Sequence, residues 1–221
     1  MERWVTFDCF GTLVDWHGGF SNILHKLADD RTPELLLAYH EFERVIEAER
    51  PHRLYRDVLV EAIVRAAWKL GIHVSEAQAR ALPGSWGTLP VFPDVESMLA
   101  ELRTKGYRLG MLTNCDEDLF AKTHQNFRVP FDLVITAERV RDYKPSLSHF
   151  RFFSRTTGVD HDQWVHVACS WFHDIVPARE LGIKRVWLDR DGTGEDPTAA
   201  SARVKTGLEV CESLARLEAA G

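Results

Sequence analysis

The stretch VTFDCFGTLVDW, from Val5 to Trp16, decides how the rest of the chain is read. Its opening residues are strand formers, and they lead straight into Asp8, with Gly11 and Thr12 close behind. A lone aspartate after a strand is ordinarily a turn former or a helix cap. A carboxylate at the end of a buried-looking strand is a candidate for chemistry as well, and the remainder of the chain bears on which reading holds.

Working outward, RWVTF, YRLGML, FDLVIT, WVHVA and KRVWL are compact apolar runs of strand length, each followed by a turn and a helical stretch. Strands alternating with helices indicate a parallel sheet covered on both faces. GLEV, before CESLARLEAA, reads as a sixth strand and a final helix, and RDGTGEDPTAASAR reads as a loop. Between Trp16 and Pro90 the texture changes. Leu35, Leu36, Tyr39, Phe42, Val45 and Ile46 recur at helical spacing, as do Val58, Leu59, Ala62, Ile63, Ala66, Ala67 and Leu70. Gly71 is placed to stop the second of these helices, and Ser75 with Gln78 has capping-box spacing. The expectation is an α/β, Rossmann-like parallel core over 1–14 and 90–221, with a helical cap inserted over 15–89. In such sheets ligands bind beyond the carboxyl ends of the strands, where Asp8 sits and where the insertion departs.

Four stations fall at expected strand ends: Asp8 with Gly11 and Thr12; Thr113 and Asn114 in MLTNC; Lys144 in RDYKP; Ser170 and Asp174 in ACSWFHD. Each has a bland reading as a cap, a turn or a solvated charge. Their joint occurrence is harder to assign to capping. The pattern strand-DxxGT, strand-TN, a separate Lys-Pro and a strand followed by an acidic loop resembles the haloacid dehalogenase superfamily of hydrolases, over nearly the whole chain. The resemblance implies Asp8 as a nucleophile forming a covalent intermediate. It implies that Lys144 holds Asp8 and offsets negative charge, and that Asp174 orients Lys144 or a hydrolytic water. Thr12, Thr113 and Asn114 would then donate hydrogen bonds to an anionic substrate or to Asp8, with the amides of the following helix start as a further anion cradle.

Phosphatases of that superfamily generally carry a second aspartate two places after the nucleophile; here that residue is Phe10. They also tend to carry paired acids at the fourth strand end, where this chain has Asp174 preceded by Cys169, Ser170 and Trp171. Phenylalanine neither takes nor gives a proton, so the branch resembled is the L-2-haloacid dehalogenase type, which needs no metal and no cofactor. Phe10, Trp171 and Phe172 would supply an apolar pocket for the departing halide. The cap arginine of that branch is absent: His40 falls nearest its position, and Arg44 is a substitute one turn on. A family tyrosine is replaced by Phe150, and Cys169 and Trp171 stand in place of a serine and an asparagine. Two alternatives stay open. One is a magnesium-dependent phosphatase with an atypical first motif, the other a binding protein that has kept the fold and lost turnover.

HEFERVIEAERPHRLYR reads as a solvated cap face, with Arg53 and Arg56 as candidates to reach the cleft. His17, with Gly18 and Gly19, reads as a hinge that uses unusual backbone angles. Cys9 should point away from Asp8 if it lies on the strand. The net charge of −6 gives no electrostatic footprint for nucleic acid or an anionic membrane. No apolar run approaches the roughly 18 residues of a membrane span. The N-terminus enters a strand without a signal peptide, and the four cysteines show no CxxC pairing. The cytoplasm is therefore the expected compartment. A small anionic molecule is the expected partner, and a homodimer is compatible with the family.

Overall fold

A computed structural model describes residues 2–219. Ala220, at the end of the expected final helix, and the outer limits of the expected core at 1 and 221 lie outside those residues. Six strands form one parallel sheet: β1 (Arg3–Phe7), β2 (Tyr107–Thr113), β3 (Leu133–Thr136), β4 (Trp164–Ala168), β5 (Lys184–Leu188) and β6 (Ala202–Val204). Their order is β3-β2-β1-β4-β5-β6. The chain winds outward from β1 through β2 to β3, then returns to β4 on the other side of β1. That reversal opens a crevice at the carboxyl ends of β1 and β4.

Side-chain alternation assigns β1 to two cores. Val5 and Phe7 join a large cluster with Met98, Leu102 and Val210. Trp4 joins a second with Phe150, Phe153 and Trp164. The large cluster continues without a break into the helices between β1 and β2, through Phe20, Leu24, Leu35, Tyr39 and Trp86. Those helices are α1 (Trp16–Ala28), α2 (Thr32–Ala48), α3 (Tyr55–Leu70) and α4 (Glu76–Ala81), followed by a 3-10 segment, Leu82–Thr88. Trp86 is fully buried, its ring 5.9 Å from Phe10, 5.5 Å from Phe20 and 5.6 Å from Tyr55. The helices α5 (Val95–Thr104), α6 (Glu117–His124), α7 (Ala137–Val140), α8 (Ser148–Thr157), α9 (Val176–Glu180) and α10 (Gly207–Ala219) accompany the sheet.

Local signals explain several boundaries. Gly71 ends α3 at φ 65°, and Ser75 and Gln78 close a reciprocal capping box on α4. Two expectations are corrected. GLEV is the first turn of α10, and the sixth strand is Ala202–Val204, inside the stretch read as loop. Three residues against one neighbour leave too short an apolar run to be seen by pattern. Asp174 lies within a π-helical turn, Trp171–Ile175, that precedes α9. Gly18 and Gly19 take ordinary helical angles within α1. Gly19 is small for another reason: a Cβ there would lie 2.8 Å from the Leu89 side chain.

Candidate active site

Asp8 leaves the end of β1 with its backbone N–H still on the ladder, donating to Val167 O at 3.1 Å. The chain then turns sharply through Gly11 at φ 88°, where a Cβ would stand 2.8 Å from Cys169 Sγ. Glycine therefore lets the loop after β1 close onto the loop after β4. Thr12 stitches the two loops. Its hydroxyl accepts from Cys169 N at 2.9 Å and donates to Asp8 Oδ2 at 2.7 Å.

The other Asp8 oxygen, Oδ1, accepts from Lys144 Nζ at 2.9 Å. The same ammonium donates to Asp174 Oδ1 at 2.6 Å and to Leu112 O at 2.9 Å. An ammonium has three protons, so Lys144 has none left for a ligand. Its backbone is held from β2: Lys144 N donates to Asn114 Oδ1 at 2.8 Å, and Asn114 Nδ2 returns a bond to Lys144 O at 3.0 Å. Burial works against charge on Lys144, but Asp174 and Asp8 outweigh it and hold the ammonium above the usual lysine range. Burial likewise opposes ionisation of Asp174, and Lys144 and His166 outweigh it, so this carboxyl sits well below the usual range.

His166 belongs to a buried polar line that pattern reading did not find. Trp164 Nε1 donates to Thr6 Oγ1 at 2.8 Å. Thr6 Oγ1 meets His166 Nδ1 at 2.8 Å, and His166 Nε2 meets Asp174 Oδ1 at 3.0 Å. Indole can only donate, so the arrangement that leaves no donor idle puts the threonine proton on the His166 Nδ1 bond. His166 Nε2–H then donates to Asp174. Asp174 Oδ2 is buried with no partner. The signal was present in the alternation: Trp4, Thr6 and Asp8 share one side of β1, and Thr6 is the register partner of His166.

These groups floor a cavity of about 370 Å³ between the sheet and the helices α1 to α3. Of the expected site residues, Asp8, Phe10, His40, Asn114, Lys144, Ser170, Trp171 and Asp174 line it. Thr12 and Thr113 are fully buried behind that wall. Thr12 still reaches Asp8, whereas Thr113 Oγ1 has no partner and cannot serve a ligand as expected. Ser170 is engaged with His173, accepting from His173 N at 3.2 Å. Phe150 lies in the core, its ring 5.0 Å from that of His166. Cys9 is buried in the large cluster, and burial pushes its thiol well above the usual range. Burial pushes the Cys169 thiol up to about 12.

The helical wall departs further from expectation. Arg53 pairs with Glu49 and Glu61, and Arg56 with Asp116 and Asp118, so neither reaches the cleft. The charged stretch read as a solvated face instead turns Glu43 and Glu47 into the cavity beside His40, Arg44 and Tyr55. Periodicity could have found them: Tyr39, Glu43 and Glu47 recur at four-residue steps. A magnesium ion, which phosphatases of this superfamily use, fits the floor poorly. The cation between Asp8 and Asp174 is the Lys144 ammonium, and among the described residues no three His, Cys, Asp or Glu side chains cluster to hold a metal.

A parallel sheet with a lysine-bridged pair of aspartates at its carboxyl edge, covered by an inserted helical layer, defines a hydrolase of the capped Rossmann-like class. The chain belongs to the haloacid dehalogenase-like hydrolase family, whose profile matches residues 5–188. It is 24% identical to an (S)-2-haloacid dehalogenase of Pseudomonas putida over 216 residues, covering 89% of this chain and 90% of that one. A phosphoserine phosphatase of Thermus thermophilus is 33% identical over 113 residues, covering 50% of this chain and 45% of the phosphatase. The crystal structure of an L-2-haloacid dehalogenase superimposes with a TM-score of 0.86 at 23% identity, covering 96% of this chain and 97% of the other.

Proposed function

We propose that this hydrolase displaces halide from a 2-haloacid through an aspartyl ester on Asp8, without a metal. The observation that carries the reading is Phe10 on the cavity wall beside Asp8. No proton donor stands where a phosphatase would protonate an alkoxide, and halide needs none. Asp8 attacks C2 with one carboxylate oxygen; the carbon–oxygen bond forms as the carbon–halogen bond breaks, and the electron pair leaves with halide. Configuration at C2 inverts. Water then adds to Asp8 Cγ, and the bond from Cγ to the ester oxygen breaks. The products are the 2-hydroxy acid, halide and one proton. Lys144 and Thr12 hold the attacking carboxylate, and Asp174 orients Lys144 for that task.

The test is turnover in heavy-oxygen water with EDTA present, on 2-chloro- and 2-bromopropionate. The expected outcome is halide release, heavy oxygen in the peptide that carries Asp8, and neither in Asp8→Asn. Halide release with label only in the product would mean direct attack by water, against the covalent route. The likeness to a phosphoserine phosphatase favours one second reading, phosphate-ester hydrolysis. Magnesium-dependent phosphate release that EDTA abolishes, with no halide release, would replace the first reading by this one.

A further inference from the structure

The wall opposite Asp8 has the wrong charge for a simple haloacid. Seven acidic side chains line the cavity against three permanent cations, Arg44, Lys144 and Arg190. Two of those cations are already committed. Lys144 is shared by Asp8 and Asp174, and Arg190 bonds both oxygens of Asp94, at 2.9 and 3.0 Å. Arg44 is exposed at the rim, its guanidinium 5.3 Å above the Phe172 ring.

Glu43 and Glu47 are one helical turn apart on α2. Glu43 is fully furnished: Oε1 accepts from Tyr39 and Tyr55 hydroxyls, each at 2.7 Å, and Oε2 lies 3.3 Å from His40 Nδ1. Burial opposes its charge, and the bonds from His40, Tyr39 and Tyr55 outweigh that and hold its carboxyl below the usual range. Glu47 is only 8% exposed, lines the cavity, and has no hydrogen bond or ion pair from its carboxyl among the described residues. A largely buried residue whose carboxyl meets the cavity and no protein partner is placed to bind a ligand there.

We propose that Glu43 and Glu47 form a subsite for an ammonium group, so that the substrate is a haloacid carrying an amine on the side of C2 remote from its carboxylate. Glu43 supplies a fixed negative charge. Burial and the neighbouring Glu43 push the Glu47 carboxyl well above the usual range, toward the protonated form. An arriving ammonium favours the carboxylate form and donates to it. Glu43, Arg44 and Tyr39 face Glu47 from its own helix, and Lys144 and Tyr143 face it from the core. The assignment rests on the preceding reading only for where the reacting carbon lies.

Two isosteric pairs test it. Calorimetry compares 4-aminobutyrate with pentanoate, which cannot react. Halide release compares 4-amino-2-bromobutyrate with 2-bromopentanoate. The amine should bind at least about tenfold tighter than its isostere. The preference should grow as pH rises above the ordinary carboxylate range, because Glu47 becomes easier to ionise. It should collapse, and lose that pH dependence, in Glu47→Gln; Glu43→Gln gives the same readout should the first variant fold poorly. Equal affinities, binding of neither ligand, or a preference for pentanoate would overturn the subsite. If 4-aminobutyrate is preferred but neither bromoacid releases bromide, the subsite stands and the carbon–halide reading falls. If both bromoacids turn over equally and no amine preference exists, the reverse holds.

Discussion

At the residue scale the site is governed by how one ammonium is shared. Lys144 is 1% exposed and satisfies two carboxylates and one carbonyl. Lys144→Met would leave Asp8 and Asp174 buried without their cation, a change that costs about 3–5 kcal/mol. Urea unfolding at neutral pH should register that loss, and Lys144→Met combined with Asp174→Asn should recover part of it. Asp174 also sets an acid limb. Its folded carboxyl titrates below the unfolded one, so its contribution is present above the ordinary carboxylate range and is lost as pH falls below about 4. Asp174→Asn should flatten that limb in thermal melts. Glu47 has the opposite sign. With its folded pKa raised, stability is complete below about pH 4 and is lost as pH rises through the folded value. Glu47→Gln should therefore raise Tm at pH 8, by about 2–4 °C per kcal/mol recovered, and leave it unchanged in acid. An unchanged Tm at pH 8 would mean that Glu47 carries no such penalty.

At the element scale, the start of α3 in the helical insertion is capped by a carboxylate from the core. Leu54 precedes α3 and has no side chain that can cap it. The cap comes instead from Asp116, which sits at the N-terminus of α6. Its Oδ1 accepts from Tyr55 N at 2.6 Å and its Oδ2 from Arg56 N at 3.0 Å. Two helix starts thus converge on a single negative charge, which both favour. Asp116→Ala should cost about 0.5–2 kcal/mol, the range for a lost helix cap. Amide exchange should quicken at Tyr55 and Arg56 before it does in the sheet. Uniform quickening across the molecule would show that the bond is no local clasp.

At the scale of the whole molecule, the net charge of −6 and the acidic cavity act together on an incoming ligand. A purely anionic haloacid meets repulsion that salt screens, so kcat/KM for 2-chloropropionate should rise as ionic strength goes from about 0.01 M to 0.15 M. A fall would mean that Arg44 and the helix starts outweigh the acids. The loop after β5 belongs to this scale too. Arg190 bridges Asp94, before α5, to Thr12 O, after β1, at 3.2 and 3.3 Å. It thereby ties the cavity wall to segments far apart in sequence.

The sequence alone determined five of the strands, α3 and α4 with their stop and cap, and Asp8 at the end of β1; Lys144 was read at a strand end but follows α7, eight residues beyond β3. Apolar runs, Gly71 and the Ser75 box act over a few residues, and such signals survive in a linear reading. β6 escaped it, because three residues paired to one neighbour carry almost no pattern. The Trp164–Thr6–His166–Asp174 line, the Asp116 clasp and the inward turn of Glu43 and Glu47 were decided only by the tertiary structure. The Trp164–Thr6 and Thr6–His166 bonds and the Asp116 clasp join residues far apart in the chain, whereas Glu43 and Glu47 are near neighbours whose inward turn is set by packing. A local reading sees the charge or the hydroxyl; only packing decides which of them water no longer reaches.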